Sequence, residues 1–234
     1  MRENKTKSAL LIIDMENGFL CPTSPHCIKY AQASIPSVVK TIKAAREFGI
    51  PIFFVKRIYR QNGSDVELTR YQTWKDGGRA MTLSSKGDIS AQAPKELRPI
   101  PGDYTIIKPR WSAFFQTELD LILRRLGIKN VILTGTTKPN CVRTTAYDAN
   151  SLDYNVVVIE DACSSQTEEI QRVNIEDMRR MGAIILSSDE FVKDYYHCPV
   201  TELAKKIREE IYASTDEPEP YLMEEDACSL IDIW

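Results

Sequence analysis

Three residues of this sequence supply a nucleophile, a proton acceptor and a fixed positive charge: Cys141, Asp14 and Lys108. Cys141 lies in Gly135-Thr-Thr-Lys-Pro-Asn-Cys-Val-Arg-Thr-Thr-Ala-Tyr-Asp-Ala149, where an apolar run ends at Gly135 and a helix begins near the cysteine. A helix N-terminus or a nearby cation lowers a thiol pKa from about 8.5 to roughly 3.5–7.5, which makes a competent nucleophile. Asp14 follows Ala-Leu-Leu-Ile-Ile. A carboxylate at the end of a buried strand needs a partner, and it can accept a thiol proton and return it to a leaving nitrogen. Lys108 ends the apolar run Tyr104-Thr-Ile-Ile. Its ammonium would keep Asp14 ionised and favour a thiolate beside it. Taken singly, each has an ordinary reading: a small buried thiol, a turn-capping aspartate, a lysine snorkelling from a strand end. Their placement together is what favours chemistry.

That placement follows from the elements that carry them. Short apolar, β-branched runs recur at Ala9–Ile13, Ile52–Val55, Tyr104–Ile107, Val131–Thr134, Val156–Ile159 and Ala183–Leu186. Between them lie stretches of helical periodicity: Ala31–Phe48 ended by Gly49, Leu119–Leu126 closed by Gly127, and Ile170–Met181 ended by Gly182. Buried strands alternating with helices predict an α/β fold, a three-layer doubly wound and mostly parallel six-stranded sheet with helices on both faces, Rossmann-like in its winding. Such sheets bind ligands outside the carboxyl ends of their strands. Asp14 ends the first strand, Lys108 the third, and Cys141 follows the fourth. The segment Lys56–Asp103 is rich in turn formers, Asn62–Gly63, Gly77–Gly78 and Lys86–Gly87–Asp88 among them, and reads as a lid or binding loop over that edge.

Composition narrows the function classes. With 43% hydrophobic and 27% charged residues, the 234-residue chain can bury one sizeable core. One domain is expected over residues 1–212, followed by an acidic tail at 213–234. The net charge of −3 hides a division, because Glu209 onward holds nine acids and no lysine or arginine, leaving 30 bases and 24 acids before it. The bases are spread over helices and loops, which argues against a nucleic-acid surface. No run approaches the roughly 18 apolar residues of a membrane span, and Met1–Ser8 lacks a secretory core, so a cytoplasmic protein is expected. The six cysteines form no Cys-x-x-Cys pair, and most are expected to be free thiols. His26 and His197, the only histidines, lack zinc spacing, so no metal site and no cofactor are expected.

The reactive residues occur in blocks that resemble the signature blocks of isochorismatase-like cysteine hydrolases. The blocks are Asp14-Met-Glu-Asn-Gly-Phe19, Lys108-Pro-Arg-Trp-Ser-Ala-Phe-Phe115, Gly135-Thr-Thr, and Cys141-Val-x-x-Thr-x-x-Asp-Ala149, continued by Tyr154-Asn-Val-Val-Val and Asp161-Ala162. The resemblance covers about residues 8–192. It implies thiol attack on a carbonyl, release of ammonia or an amine, and hydrolysis of a thioester or thiocarbamate-like intermediate. Cys141 would be the nucleophile, Asp14 the proton shuttle and Lys108 the supporting charge. It also implies a cis peptide at Thr136–Thr137 and an oxyanion held by the backbone N–H groups of Thr137 and Cys141. The nicotinamidases of the family carry an Asp-x-His metal motif after the second strand, where this chain reads Val55-Lys-Arg-Ile-Tyr59. True isochorismatases lack the cysteine. The pattern therefore looks most like the amidohydrolases of carbamoylsarcosine, ureidoacrylate, maleamate or biuret. The alternatives are a catalytically silent small-molecule-binding or scaffold protein on the same fold, and a nicotinamidase-type amidase.

The expected substrate is a small linear amide or ureido compound with a carboxylate or similar polar end. Arg57 follows the second strand and Arg110 follows Lys108, so either guanidinium fork could hold a carboxylate from this edge. Arg143 is less favoured because it lies inside the helix after Cys141. Phe19, Trp74 and Trp111 are the aromatic candidates for the pocket wall. The expected assembly is a homo-oligomer, a dimer or a tetramer. The apolar end Leu230, Ile231, Ile233 and Trp234 is expected to pack on this or a neighbouring subunit.

Overall fold

A computed structural model of the chain describes residues 4, 6–83, 88–194, 206, 207, 209–211 and 213. Six parallel strands form one sheet, β1 (Ser8–Ile13), β2 (Ile52–Arg57), β3 (Tyr104–Lys108), β4 (Asn130–Thr136), β5 (Asn155–Ser164) and β6 (Ile184–Leu186), in the order β3-β2-β1-β4-β5-β6. The order runs outward from β1 in both directions, the doubly wound arrangement, and its switch point lies between β1 and β4. The helices are α1 (Asn17–Leu20), α2 (Ala31–Glu47), α3 (Tyr71–Asp76), α4 (Asp88–Ala91), α5 (Leu119–Arg125), α6 (Arg143–Ser151), α7 (Glu168–Arg180) and α8 (Ser188–Asp194).

Alternation along each strand builds a core on both faces. Leu11, Ile13, Phe53, Val55, Leu133 and Val158 pack one way, with Leu119 and Leu123 of α5, Ala146 of α6 and Met178 of α7. Leu10, Ile12, Ile52, Phe54, Ile132 and Val157 pack the other way, against Val38 and Ile42 of α2 and Phe191 of α8. Period-two side-chain direction on a sheet covered by helices requires this division. Helix ends follow the local chemistry: Thr167 accepts the N–H of Ile170 at 3.1 Å to cap α7, whose first turn holds Glu168 and Glu169 and whose last holds Arg179 and Arg180.

The segment between β2 and β3 is more ordered than its turn-rich sequence predicts. It contains α3, α4 and the 3₁₀ turns Leu68–Arg70 and Lys95–Leu97, and Tyr59, Val66, Trp74, Ala80 and Met81 form a small core of its own. The Trp74 indole donates to the Ala80 carbonyl at 2.8 Å. Packing on one buried tryptophan replaces the long helical periodicity that the sequence lacks there.

Contacts divide the chain into two units, Met1–Thr201 and Glu202–Trp234. Apart from residue 213, the expected tail lies outside the described residues, as do its apolar end, His197, Cys198 and Cys228. Cys21, Cys27, Cys141 and Cys163 are free thiols. Among the described residues no helix is long and apolar enough to cross a membrane.

Candidate active site

Strand register assembles the site. Ile13 pairs with Val55 on one side and Gly135 on the other, and Arg57 pairs with Lys108, so β1 and β4 end within a residue of each other and β2 and β3 run on together two residues further. Gly135 makes the closest approach possible: its φ is +107°, and a Cβ there would stand 2.0 Å from the Ile13 carbonyl oxygen. Only glycine fits that position. Directly after Ile13, Asp14 turns into the left-handed region at φ +50°, a conformation that aspartate tolerates better than most residues, and its N–H donates to Val55 O at 2.9 Å.

Asp14, Lys108 and Cys141 meet below this edge. Lys108 Nζ donates to Asp14 Oδ2 at 2.7 Å and to the Arg110 carbonyl at 3.1 Å. Asp14 and Lys108 are both fully buried. The second carboxylate oxygen, Oδ1, is buried without a hydrogen-bond partner. Cys141 sits in a π-helical stretch, Lys138–Val142, which runs straight into α6. Its carbonyl accepts the Thr145 hydroxyl at 2.6 Å, and Thr145 Oγ1 accepts the Ala113 N–H at 3.0 Å, which ties this turn to the chain after β3. The Thr136–Thr137 peptide bond is cis.

Burial, more than charge, sets the thiol. The expectation of a lowered Cys141 pKa is reversed: complete burial and then the Asp14 carboxylate push it up, against Lys108 and Arg57, which pull it down. The helix-end position does not outweigh lost hydration. The thiol thus sits beside the Asp14 carboxylate, whose other oxygen is held by Lys108.

A cavity of about 260 Å³ opens on these groups. Asp14, Cys141, Thr136, Thr137, Phe19, Arg57 and Trp74 line it, joined by Tyr59, Arg70, His26, Asn140 and Gln166. Two expected substrate contacts are not brought there. Trp111 is 40% exposed in the bend after β3, and the Arg110 guanidinium is bonded to the carbonyls of Asp65 and Pro109. Arg143 faces away and pairs with Asp177 at 2.7 Å. Arg57 does reach the cavity, but it is only 1% exposed and already engaged: Nη1 donates to Tyr59 Oη at 2.7 Å and to Glu67 Oε1 at 2.6 Å, and Nη2 lies 3.6 Å from Cys141 Sγ. One arm of this guanidinium is thus committed to the segment after β2, while its Nε has no hydrogen-bond partner among the described residues.

Several residues of the site went unread in the sequence. Arg70 lines the cavity, and its guanidinium has no hydrogen bond or ion pair among the described residues. His26 lies close enough for burial, and then Arg70, to hold its imidazole pKa down. Tyr59 could have been anticipated, since it stands two residues after Arg57 and so on the same side of an extended chain. Glu67 and Arg70 carry no local signal. Glu16, two residues beyond Asp14, is fully buried; its Oε1 accepts the Arg57 N–H at 2.9 Å, and burial followed by Asp14 pushes its carboxyl up to about 8. A larger open groove of about 620 Å³, between Lys138 and α7, is lined by Glu160, Glu176 and Arg180 and contains none of the three convergent residues. Among the described residues no three His, Cys, Asp or Glu side chains gather as a metal-holding group.

The isochorismatase domain model matches residues 8–190, which contain the whole sheet and every residue of the cavity. This chain belongs to the isochorismatase family. Among family relatives, a probable inactive nicotinamidase of Arabidopsis thaliana is 36% identical over 184 residues, 78% of this chain and 93% of the relative. Ureidoacrylate amidohydrolase of Azorhizobium caulinodans is 27% identical, covering 84% of this chain and 93% of that protein. The crystal structure of N-carbamoylsarcosine amidase from Thermoplasma acidophilum superposes with a TM-score of 0.66 at 31% identity, over 81% of this chain and 98% of that one.

Proposed function

We propose that this isochorismatase-family protein is a cysteine hydrolase that cleaves a carbon–nitrogen bond in a small amide, carbamoyl or ureido compound. The observation that carries the reading is the convergence of Cys141 and Asp14 on one cavity, with the fully buried Lys108 ammonium bonded to Asp14. Asp14 takes the Cys141 proton as Sγ attacks the carbonyl carbon, while Lys108 holds the carboxylate in place. The carbonyl oxygen becomes an oxyanion bound by the backbone N–H groups of Thr137 and Cys141. Collapse breaks the C–N bond, and Asp14 gives its proton to the leaving nitrogen. Water then attacks the thioester or thiocarbamate, losing a proton to Asp14, and the thiolate leaves and recovers that proton.

The cavity volume suits a ligand at the small end of the usual range. Arg70, which lines the cavity near His26 and has no side-chain partner among the described residues, is the arginine we assign to an acidic end of the substrate. The named activities of the ureidoacrylate and carbamoylsarcosine relatives agree with this substrate class. Ammonia release from a panel of ureido acids, carbamoyl amino acids and neutral amides tests it. Turnover of an acidic ureido or carbamoyl compound supports the reading, and no turnover of any member refutes it.

A second reading, a silent binding protein, is favoured by the Arabidopsis relative, which is described as probably inactive. It requires thermal stabilisation by a panel member with no ammonia released. A nicotinamidase-type activity requires turnover of nicotinamide, for which the Val55–Tyr59 stretch offers no Asp-x-His motif.

A further inference from the structure

Arg57 spans the distance between the lid segment and the nucleophile. It is one of the largest buried side chains of the protein, and its Nη2 stands 3.6 Å from Cys141 Sγ. The other arm is held by Tyr59 Oη and by Glu67 Oε1, and the Tyr59 hydroxyl itself donates to Glu67 Oε2 at 2.8 Å. Both carboxylate oxygens of Glu67 are thus used, one on the guanidinium and one on the phenol that braces it. Nη1 is therefore anchored at two points, the carboxylate and the phenol, which restricts the orientation of the planar guanidinium. Packing at the other end is equally firm, since the Arg57 backbone N–H is bonded to Glu16.

We propose that Arg57 is a further catalytic residue, a cation that together with Lys108 holds the Cys141 sulfur as an anion once Asp14 has taken its proton, and that Glu67 is a positioning residue that attenuates the Arg57 charge from the segment between β2 and β3. The assignment rests on the cysteine-hydrolase reading and deepens it. Three charged groups face the sulfur, namely Asp14, Lys108 and Arg57. Lys108 is tied to Asp14 at 2.7 Å and regains its full charge when Asp14 takes the proton, while the Arg57 guanidinium stands 3.6 Å from the sulfur itself, so the new thiolate has two cations to hold it. Arg57 in turn faces Cys141, Asp14, Tyr59 and Glu67, with the Glu16 carboxyl at its backbone. His26, Cys27 and Arg70 complete the ionisable lining of the cavity.

The test uses the sign of two opposite changes. The pH dependence of Cys141 alkylation by iodoacetamide is followed by peptide mass spectrometry, which separates Cys141 from the other thiols, in wild type, Arg57→Gln, Arg57→Lys and Glu67→Gln. Losing the cation raises the alkylation midpoint in Arg57→Gln, and Arg57→Lys recovers part of the change. Removing the neutralising carboxylate in Glu67→Gln lowers the midpoint by about one pH unit, the size that one close charge produces. The acid limb of the kcat/KM profile moves in the same directions. Should Arg57→Gln not fold, Glu67→Gln alone decides, because its amide keeps the shape and the Tyr59 contact. An unchanged or raised midpoint in folded Glu67→Gln overturns the proposal. A Cys141→Ala variant that keeps turnover overturns instead the cysteine-hydrolase reading on which the proposal stands.

Discussion

Lys108 Nζ and Asp14 Oδ2 form a 2.7 Å ion pair from which solvent is excluded on both sides. Bringing two charges out of water is offset only while each has the other, and deleting one partner leaves an uncompensated buried charge. Lys108→Met is therefore expected to destabilise the fold by about 3–5 kcal/mol. The double variant Lys108→Met with Asp14→Asn should regain a large part of that loss. Urea unfolding monitored by tryptophan fluorescence measures both. A single variant within about 0.5 kcal/mol of wild type, the usual range of an inert surface change, argues against a dry pair.

Glu16 should make stability fall with rising pH. Its carboxyl is pushed up from 4.5 to about 8, so the folded protein holds this proton more tightly than the unfolded chain. The contribution is fully present below about 4.5 and is lost as pH climbs through about 8. At about 1.36 kcal/mol for each pH unit of difference, wild type should lose a few kcal/mol relative to Glu16→Gln across this window. The check is the difference in unfolding free energy between the two proteins at pH 5 and pH 9. Parallel curves contradict a buried neutral Glu16.

The sequence made the frame legible because buried parallel strands are near-continuous apolar runs. Each of the six runs lies within an observed strand or overlaps it, and Asp14 and Lys108 fall at their ends as simple counting predicts. Cys141 could be placed beside them because Gly135 marks where β4 must turn. What could not be read was side-chain commitment. Arg57 and Arg110 look equally available in a string of letters, yet one is sequestered by Glu67 and Tyr59 and the other by backbone carbonyls. Glu67 and Arg70 come from a segment without periodicity, held by Trp74, so no pattern ties them to the strand ends. The direction of the Cys141 shift was missed because burial depth is a property of the packed fold.

Arg70 should discriminate between acidic and neutral substrates. Replacing it with alanine is expected to raise KM for a carboxylated ureido compound by roughly tenfold, the effect of about 1.4 kcal/mol of lost binding, with little change for the matching neutral amide. Since an exposed arginine is screened by salt, the discrimination should also shrink as ionic strength rises. Equal KM changes for both substrates would remove Arg70 from the acidic subsite. Arg110→Ala, by contrast, should leave the preference for the acid unchanged.

The central claim is that Cys141 attacks and Asp14 moves the proton, and ammonia release by Cys141→Ala and Asp14→Asn tests it most directly, using the best substrate of the wild-type panel. Both variants should keep the wild-type near-ultraviolet circular dichroism while kcat/KM falls by at least about a thousandfold, because residues that act as one unit each remove most of the rate. Retention of most of the wild-type activity by either folded variant contradicts the covalent mechanism.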